Sequence, residues 1–152
     1  MPDIVGRVDD IDDFDVDAFA AAIEDFNRVY IRIPVREKLP FTTLSVLDTL
    51  AQRGPARLTD LTETEQLTQP GITQLIARLE RDGLVQRHRD PDDGRAVIVH
   101  LTESGRQVRQ TRHDDRVRHL APMVRELSPA HRQALSAALP ALARLAQLQR
   151  ER

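Results

Sequence analysis

The chain has 152 residues, enough for one domain of ordinary size and a small appendage. Aromatic residues make up only 3% of it, so the core must be built from Leu, Ile, Val and Ala; the absence of Cys excludes disulfides, thiolate metal sites and thiol redox sensing. The formal net charge is −2, no apolar run approaches the roughly 20 residues of a membrane span, and the acidic start is unlike a secretion signal, so a cytoplasmic protein with no membrane contact is expected.

Residues 1–16 carry the run Asp9-Asp10-Ile11-Asp12-Asp13-Phe14-Asp15 and are expected to form an acidic, flexible N-terminus. That run lacks the Gly and the terminal Glu of a calcium-binding EF-hand loop. A helix is expected over 17–33, where Phe19, Ala20, Ile23, Phe26, Tyr30 and Ile31 recur at helical spacing and Pro34 stops or kinks the run. Thr42 is placed to cap a second helix whose Leu44, Leu47, Leu50 and Ala51 form one apolar stripe, and Arg53-Gly54-Pro55 reads as a turn. A short helix follows over 58–63, with Thr59 as its cap. A longer one runs over 68–81, capped by Thr68 and closed by Asp82-Gly83. Helix, turn, short helix, turn and longer helix within about forty residues is a helix-turn-helix arrangement.

Two further runs, 84–87 and 96–101, flank the turn-rich Asp90-Pro91-Asp92-Asp93-Gly94 and predict a β-hairpin with Arg95 just past its tip. Thr102 then caps a long helix to about Leu120, broken at Ala121-Pro122, and Ser128-Pro129 opens a last helix that Pro140 should kink. The fold class is therefore mainly α with a small β-hairpin wing: a winged helix-turn-helix at 40–101, with helical regions at 17–39 and 102–152. The outer helices carry more apolar surface than so small a domain can cover. A second copy of the chain, giving a homodimer, is its expected partner.

A helix followed by a basic hairpin is how a winged helix meets double-stranded DNA, the helix in the major groove and the ribbon reaching the next minor groove. On the helix, Ile72, Leu75, Ile76 and Leu79 form the buried stripe, leaving Gln69, Thr73, Gln74, Ala77, Arg78 and Arg81 on the other face. Gln pairs bidentately with adenine, Thr contacts a thymine methyl or a phosphate, and Arg takes guanine or phosphate. Thr68 marks the N-terminus, where a phosphate is favoured. The bland reading is an ordinary solvated face. The hairpin beside it weighs against that, with Arg95 aimed at the minor groove, Asp93 supporting it, and Arg87 and Arg89 facing phosphates or merely solvating the ribbon. Arg95 has a bland reading as well, an exposed ion pair with Asp90, Asp92 or Asp93.

Charge is distributed unevenly. Residues 1–51 hold 5 basic and 11 acidic side chains, against 10 and 5 in residues 102–152, so the overall −2 does not exclude a local basic face. His88, His100, His113, His119 and His131 show no metal-ligand spacing, and no nucleophile elbow, phosphate loop or paired-carboxylate signature appears. No metal, no cofactor and no enzymatic activity are expected.

These segments together resemble the MarR family of bacterial transcriptional regulators. The resemblance covers about residues 17–148 and rests on Leu61-Thr62-Glu63, Thr68-Gln69-Pro70-Gly71-Ile72-Thr73, Arg78-Leu79-Glu80-Arg81-Asp82-Gly83-Leu84-Val85, the wing Asp90-Pro91-Asp92-Asp93-Gly94-Arg95, and Val99-His100-Leu101-Thr102-Glu103-Ser104-Gly105. It implies a homodimer with intertwined terminal helices, which makes 17–39 and 102–152 the dimerisation region. It also implies repression at pseudo-palindromic operators and release by a small aromatic or anionic effector. Arg95 matches the family's wing-tip arginine, and Thr68, Gln69, Thr73, Gln74 and Arg78 match its recognition-helix positions. The chain departs from the pattern at Gly94 and Gln74, where arginine is usual, and at Glu65 and Gln66, where an apolar residue and glycine are usual. No effector site is assigned, since Tyr30, Arg28 and Arg32 read equally well as core and solvated residues. Two rivals stay open at this point: a winged helix used for protein–protein contact, and a DNA binder that answers to no ligand.

Overall fold

The computed structural model describes residues 14–151; the acidic run up to residue 13 lies outside the described residues. The chain divides between Pro34 and Val35 into two compact units. The first carries α1 (Val16–Tyr30), whose N-cap Asp15 accepts a hydrogen bond from the Ala18 N–H at 2.9 Å. Asp15 and Val16, read from sequence as part of a flexible tail, thus begin a helix. Its other end falls at Tyr30, short of Ile33, because Pro34 disfavours helical geometry in the residue before it.

The second unit contains α2 (Phe41–Arg53), β1 (Ala56–Arg57), α3 (Leu58–Thr64), α4 (Gln69–Arg81), β2 (Val85–Arg89), β3 (Val97–Leu101), α5 (Glu103–Glu126) and α6 (Pro129–Arg150). The sheet is antiparallel in the order β1-β3-β2. β2 and β3 are the expected hairpin, Val85 opposite Leu101 and Arg89 opposite Val97. β1 is additional: two residues that sequence reading gave to a turn pair with Ile98 and Val99. A helix-turn-helix flanked by this three-stranded wing sheet is a winged helix.

One core serves the unit. Val46, Leu47 and Leu50 of α2, Leu61 of α3, Ile72, Leu75, Ile76 and Leu79 of α4, and Leu84, Val85, Val99 and Leu101 around the sheet are all buried, with Val108 of α5 packed against them. The four positions expected of α4 are the four found. In α2 the stripe is rotated: Val46 joins Leu47 and Leu50, while Ala51 is exposed and Leu44 only half-buried. Two expected caps are displaced as well. Pro40 holds the N-cap position of α2 and Arg57 that of α3, so Thr42 and Thr59 lie inside their helices. Thr68, Thr102 and Ser128 do cap α4, α5 and α6, accepting from Gly71, Gly105 and His131 N–H groups. Pro122 does not break α5, which continues to Glu126; the ring forfeits one i→i−4 bond and crowds the Arg118 carbonyl, a cost that a helix of 24 residues absorbs.

The end of α4 is joined tightly to its neighbours. Gly83, at φ +73°, donates to the Glu80 carbonyl, and Leu84 N–H donates to the Leu79 carbonyl, the paired bonds of a Schellman motif. The Leu84 carbonyl then accepts from Thr102 N–H at 3.1 Å, while the Thr102 hydroxyl donates to the Gly83 carbonyl at 2.6 Å. Gly105 lies directly over this junction. A Cβ there would stand 2.4 Å from the Leu84 carbonyl oxygen and 2.6 Å from Leu101 Cδ1, so no side chain fits.

A buried charge anchors the middle of α5. Asp115 is 7% exposed; it accepts from Arg36 N–H at 2.9 Å and from Arg36 Nε at 3.0 Å, and it pairs with Arg118. Arg112, also buried, donates to the Glu37 carbonyl. The Arg36 N–H, then the Arg36 guanidinium, hold the Asp115 carboxyl below the usual carboxylate range.

The turn between α3 and α4 carries Gln66 at φ +52°, left-handed geometry that glycine adopts at least cost. Gln66→Gly is therefore expected to raise the melting temperature by about 2–4 °C, whereas Gly105→Ala lowers it by about 5–10 °C; calorimetry reads both. Asp115→Asn lowers the melting temperature at pH 7. A depressed pKa stabilises above the unfolded carboxylate pKa and the contribution fades as pH falls, so the gap from wild type closes below about pH 4.

Candidate nucleic-acid interface

The amphipathic pattern of α4 buries one stripe and leaves Gln69, Thr73, Gln74, Arg78 and Arg81 exposed. These side chains differ in what holds them. Thr68 is committed to its capping bond with Gly71 N–H. The Thr73 hydroxyl donates back to the Gln69 carbonyl at 2.8 Å, which leaves its methyl as the outward group. Gln69 Oε1 lies 3.2 Å from the Thr62 hydroxyl of α3. Glu65, in the preceding turn, accepts from the Thr49 hydroxyl at 2.6 Å, so an acidic residue in place of an apolar one is satisfied locally.

The wing is organised by Asp90, at the end of β2. This carboxylate is 4% exposed; it accepts from Asp92 N–H at 2.9 Å and pairs with Arg57 Nη2 of β1 at 2.6 Å. The Asp92 N–H and the nearby Arg57 charge hold the carboxyl below its usual range, overcoming burial. Backbone bonds from Asp90 N–H to the Ala96 carbonyl and from Ala96 N–H to the Asp93 carbonyl close the loop. Asp93 Oδ1 accepts from the Arg95 backbone N–H at 3.1 Å. The expected link from Asp93 to Arg95 is present, then, but it fixes the backbone and leaves the guanidinium alone. Among the described residues the Arg95 side chain has no ion-pair partner, and the pairing considered from sequence with Asp90, Asp92 or Asp93 is not formed.

Arg87 departs from its expected role as a phosphate contact. Its backbone N–H donates to Glu80 Oε1 at 3.0 Å, and its guanidinium binds Glu80 Oε2 through Nε at 2.7 Å and Nη2 at 2.6 Å. The hydrogen bond from the Arg87 guanidinium is the main cause of a lowered Glu80 pKa. Arg87 therefore staples β2 to α4. Arg89 is exposed on the same strand, without such a partner among the described residues. Among the described residues, the exposed cations of this face without an ion-pair partner are thus Arg78, Arg81, Arg89 and Arg95, while two of its acidic residues, Glu80 and Asp90, are paired with Arg87 and Arg57; Asp82, Asp92 and Asp93 stay exposed nearby. The two pairings shift the local balance toward positive charge in a chain of net charge −2.

Sequence reading missed Arg57 and Glu80 as organisers. Their partners lie on other elements, and the only local signal was Asp90 at the head of the turn. His88 and His100 also meet across the wing, ring centroids 4.8 Å apart and edge-to-face, yet no group of three metal-ligating side chains forms among the described residues. Removing the organiser should loosen the wing first: Arg57→Ala is expected to speed amide hydrogen exchange in residues 91–96 roughly tenfold while exchange in α4 stays near wild type.

Residues 39–97 match the model of the MarR family. YkoM of Bacillus subtilis (strain 168), an uncharacterized HTH-type transcriptional regulator, is 34% identical over 89 residues, 59% of this chain and 58% of its own. The alignments span 58% to 66% of the length of the curated relatives compared. RV1404 from Mycobacterium tuberculosis shares the fold with a TM-score of 0.73 at 24% identity, over 90% of this chain and 97% of that one. A putative transcriptional regulator from Pseudomonas aeruginosa PA01 gives 0.72 at 27% identity, over 86% and 92%. Regulators of this kind are a non-enzymatic class. Residue pattern, winged-helix geometry and relatives converge on the MarR family, whose model residues 39–97 of this chain match.

Proposed function

We propose that the chain is a cytoplasmic, homodimeric repressor that binds a pseudo-palindromic site in double-stranded DNA, with α4 in the major groove and Arg95 in the adjoining minor groove. The observation that carries this reading is the juxtaposition of an outward polar face on α4 with an arginine, unpaired among the described residues, just past the tip of a wing in which Asp90 is held by Arg57 and Asp93 by the backbone. The outward Thr73 methyl suits a thymine methyl, and Gln74 suits adenine.

Dimerisation is supported by α6. None of its side chains is buried within the chain, although Leu135, Leu139, Leu142, Leu145 and Leu148 run along its length at helical spacing. An unpartnered apolar row on a 22-residue helix is what a second copy covers. Two lobes also add the contacts of two half-sites, since one recognition helix supplies a few base contacts of roughly 1–3 kcal/mol each. A small aromatic or anionic effector that changes the separation of the two recognition helices belongs to the same proposal, on the support of the resemblance to the MarR family. A coupling of about 1–3 kcal/mol suffices for such a switch.

Binding to the DNA upstream of the chain's own gene, against a scrambled duplex, tests the reading; preference for the native duplex with a steep salt slope is expected. Half-sites should lie one helical turn apart, about 34–36 Å, so inserting five base pairs between them should abolish tight binding. An unchanged affinity would overturn the dimer-on-palindrome arrangement. Leu139→Glu with Leu142→Glu should convert the dimer to monomer in sedimentation and weaken operator binding at least tenfold. Gly94 has open space around it and no left-handed φ, so Gly94→Arg fits without strain. It should raise affinity for both duplexes and steepen the salt slope by about 1.

A further inference from the structure

The outward face of α4 is not uniform. At about 100° per residue, Gln74, Ala77 and Arg81 point away from the buried stripe of Ile72, Leu75, Ile76 and Leu79. Gln69 and Thr73 fall to one flank, where Gln69 meets Thr62 of α3. Arg78 falls about 70° to the opposite flank. There Gly71, Gln74, Leu75 and Arg78 combine with Leu67 and with Thr42 of α2 to line an open cleft of about 220 Å³.

Three properties of this cleft point to one kind of occupant. It is smaller than the roughly 300 Å³ at which small-molecule pockets begin. No acidic residue lines it, and among the described residues the Arg78 guanidinium has no ion-pair partner, so its charge is free for an anion. Its polar lining consists of a guanidinium, a hydroxyl and an amide, all of which donate hydrogen bonds. A guanidinium on the flank of α4, beside a second helix, is also placed at the wall of a groove rather than its floor. That is where a duplex presents phosphodiester oxygens and not base edges.

We propose that this cleft seats a DNA backbone phosphate held by Arg78 and Thr42, so that Arg78 sets the register of α4 on the duplex while base reading falls to Gln74 and Arg81. The assignment rests on the DNA-binding reading above. It gives Arg78 one of the two partners that residue type alone leaves open, and it brings in Thr42 from outside the helix-turn-helix face.

The test uses the full chain, a duplex recovered by in vitro selection with the wild-type protein, and a scrambled duplex. Arg78→Ala should weaken binding to both duplexes by a similar factor, roughly tenfold near 0.1 M salt, and lower the salt slope by about 1. Arg78→Lys should retain most of the affinity, since a phosphate accepts a point charge. Thr42→Val should cause a smaller loss, again equal on both duplexes, and a smaller one still in the Arg78→Ala background. Gln74→Ala should instead narrow the preference between the duplexes. An Arg78→Ala variant that loses discrimination at one base pair, with scrambled-duplex affinity unchanged, overturns the assignment, as does a Thr42→Val variant indistinguishable from wild type. A selection in which the wild-type chain enriches no duplex overturns the DNA reading itself, and the assignment with it.

Discussion

The peptide groups on either side of Leu84 hold the interface together. The N–H of Leu84 closes the end of α4 on the Leu79 carbonyl, and its C=O accepts from Thr102 at the start of α5. Both its own side chain and that of the next residue, Val85, enter the core. Recognition helix, hairpin and long helix are thereby referred to one short segment, and Gly105 must lack a side chain because α5 approaches that segment within van der Waals distance. Any rotation of α4 against the wing would have to break these backbone bonds. The Glu80–Arg87 pair adds a side-chain link between the same two elements on the exposed side.

A second level of order concerns charge. Arg57, Arg87 and Arg36 each bind a specific carboxylate, whereas Arg78, Arg81, Arg89 and Arg95 do not. The pairing has little to gain in stability where both partners are exposed. Its effect on the potential is larger: the charges of Glu80 and Asp90 are offset by Arg87 and Arg57, and the positive charge of Arg78, Arg81, Arg89 and Arg95 faces solvent.

Much of this was legible in the sequence because it is local. The 3.6-residue rhythm of Ile72, Leu75, Ile76 and Leu79 gives both the buried and the outward face of α4, and Thr68, Thr102 and Ser128 mark helix starts by capping chemistry. Where sequence reading failed, competing local signals or distant partners decided the outcome. Thr42 and Thr59 have cap-forming side chains, but Pro40 and Arg57 take the cap positions. β1 is two residues long, too short to show alternation, and exists because β3 offers an edge. Pro122 is tolerated in α5 where local preference alone would stop a helix. In the interface, the exposed residues of α4 and the wing tip were readable from pattern and family resemblance. Their holder was not: Asp90 with Arg57 joins positions 33 residues apart, as outside the interface Asp115 with Arg36 joins positions 79 apart, distances over which periodicity carries no information.

The division of labour along α4 has an evolutionary consequence. The four side chains that the fold requires and the side chains presented outward alternate on one thirteen-residue helix without sharing a contact in the core. Substitution at positions 74, 77 or 81 therefore changes what is presented to a partner while leaving the folding code intact. After gene duplication, two descendants of this chain could diverge in the sites they recognise by a handful of point changes, those at the exposed positions 74 and 81 at little cost in stability. Recognition and folding are here separately heritable traits written into the same helix.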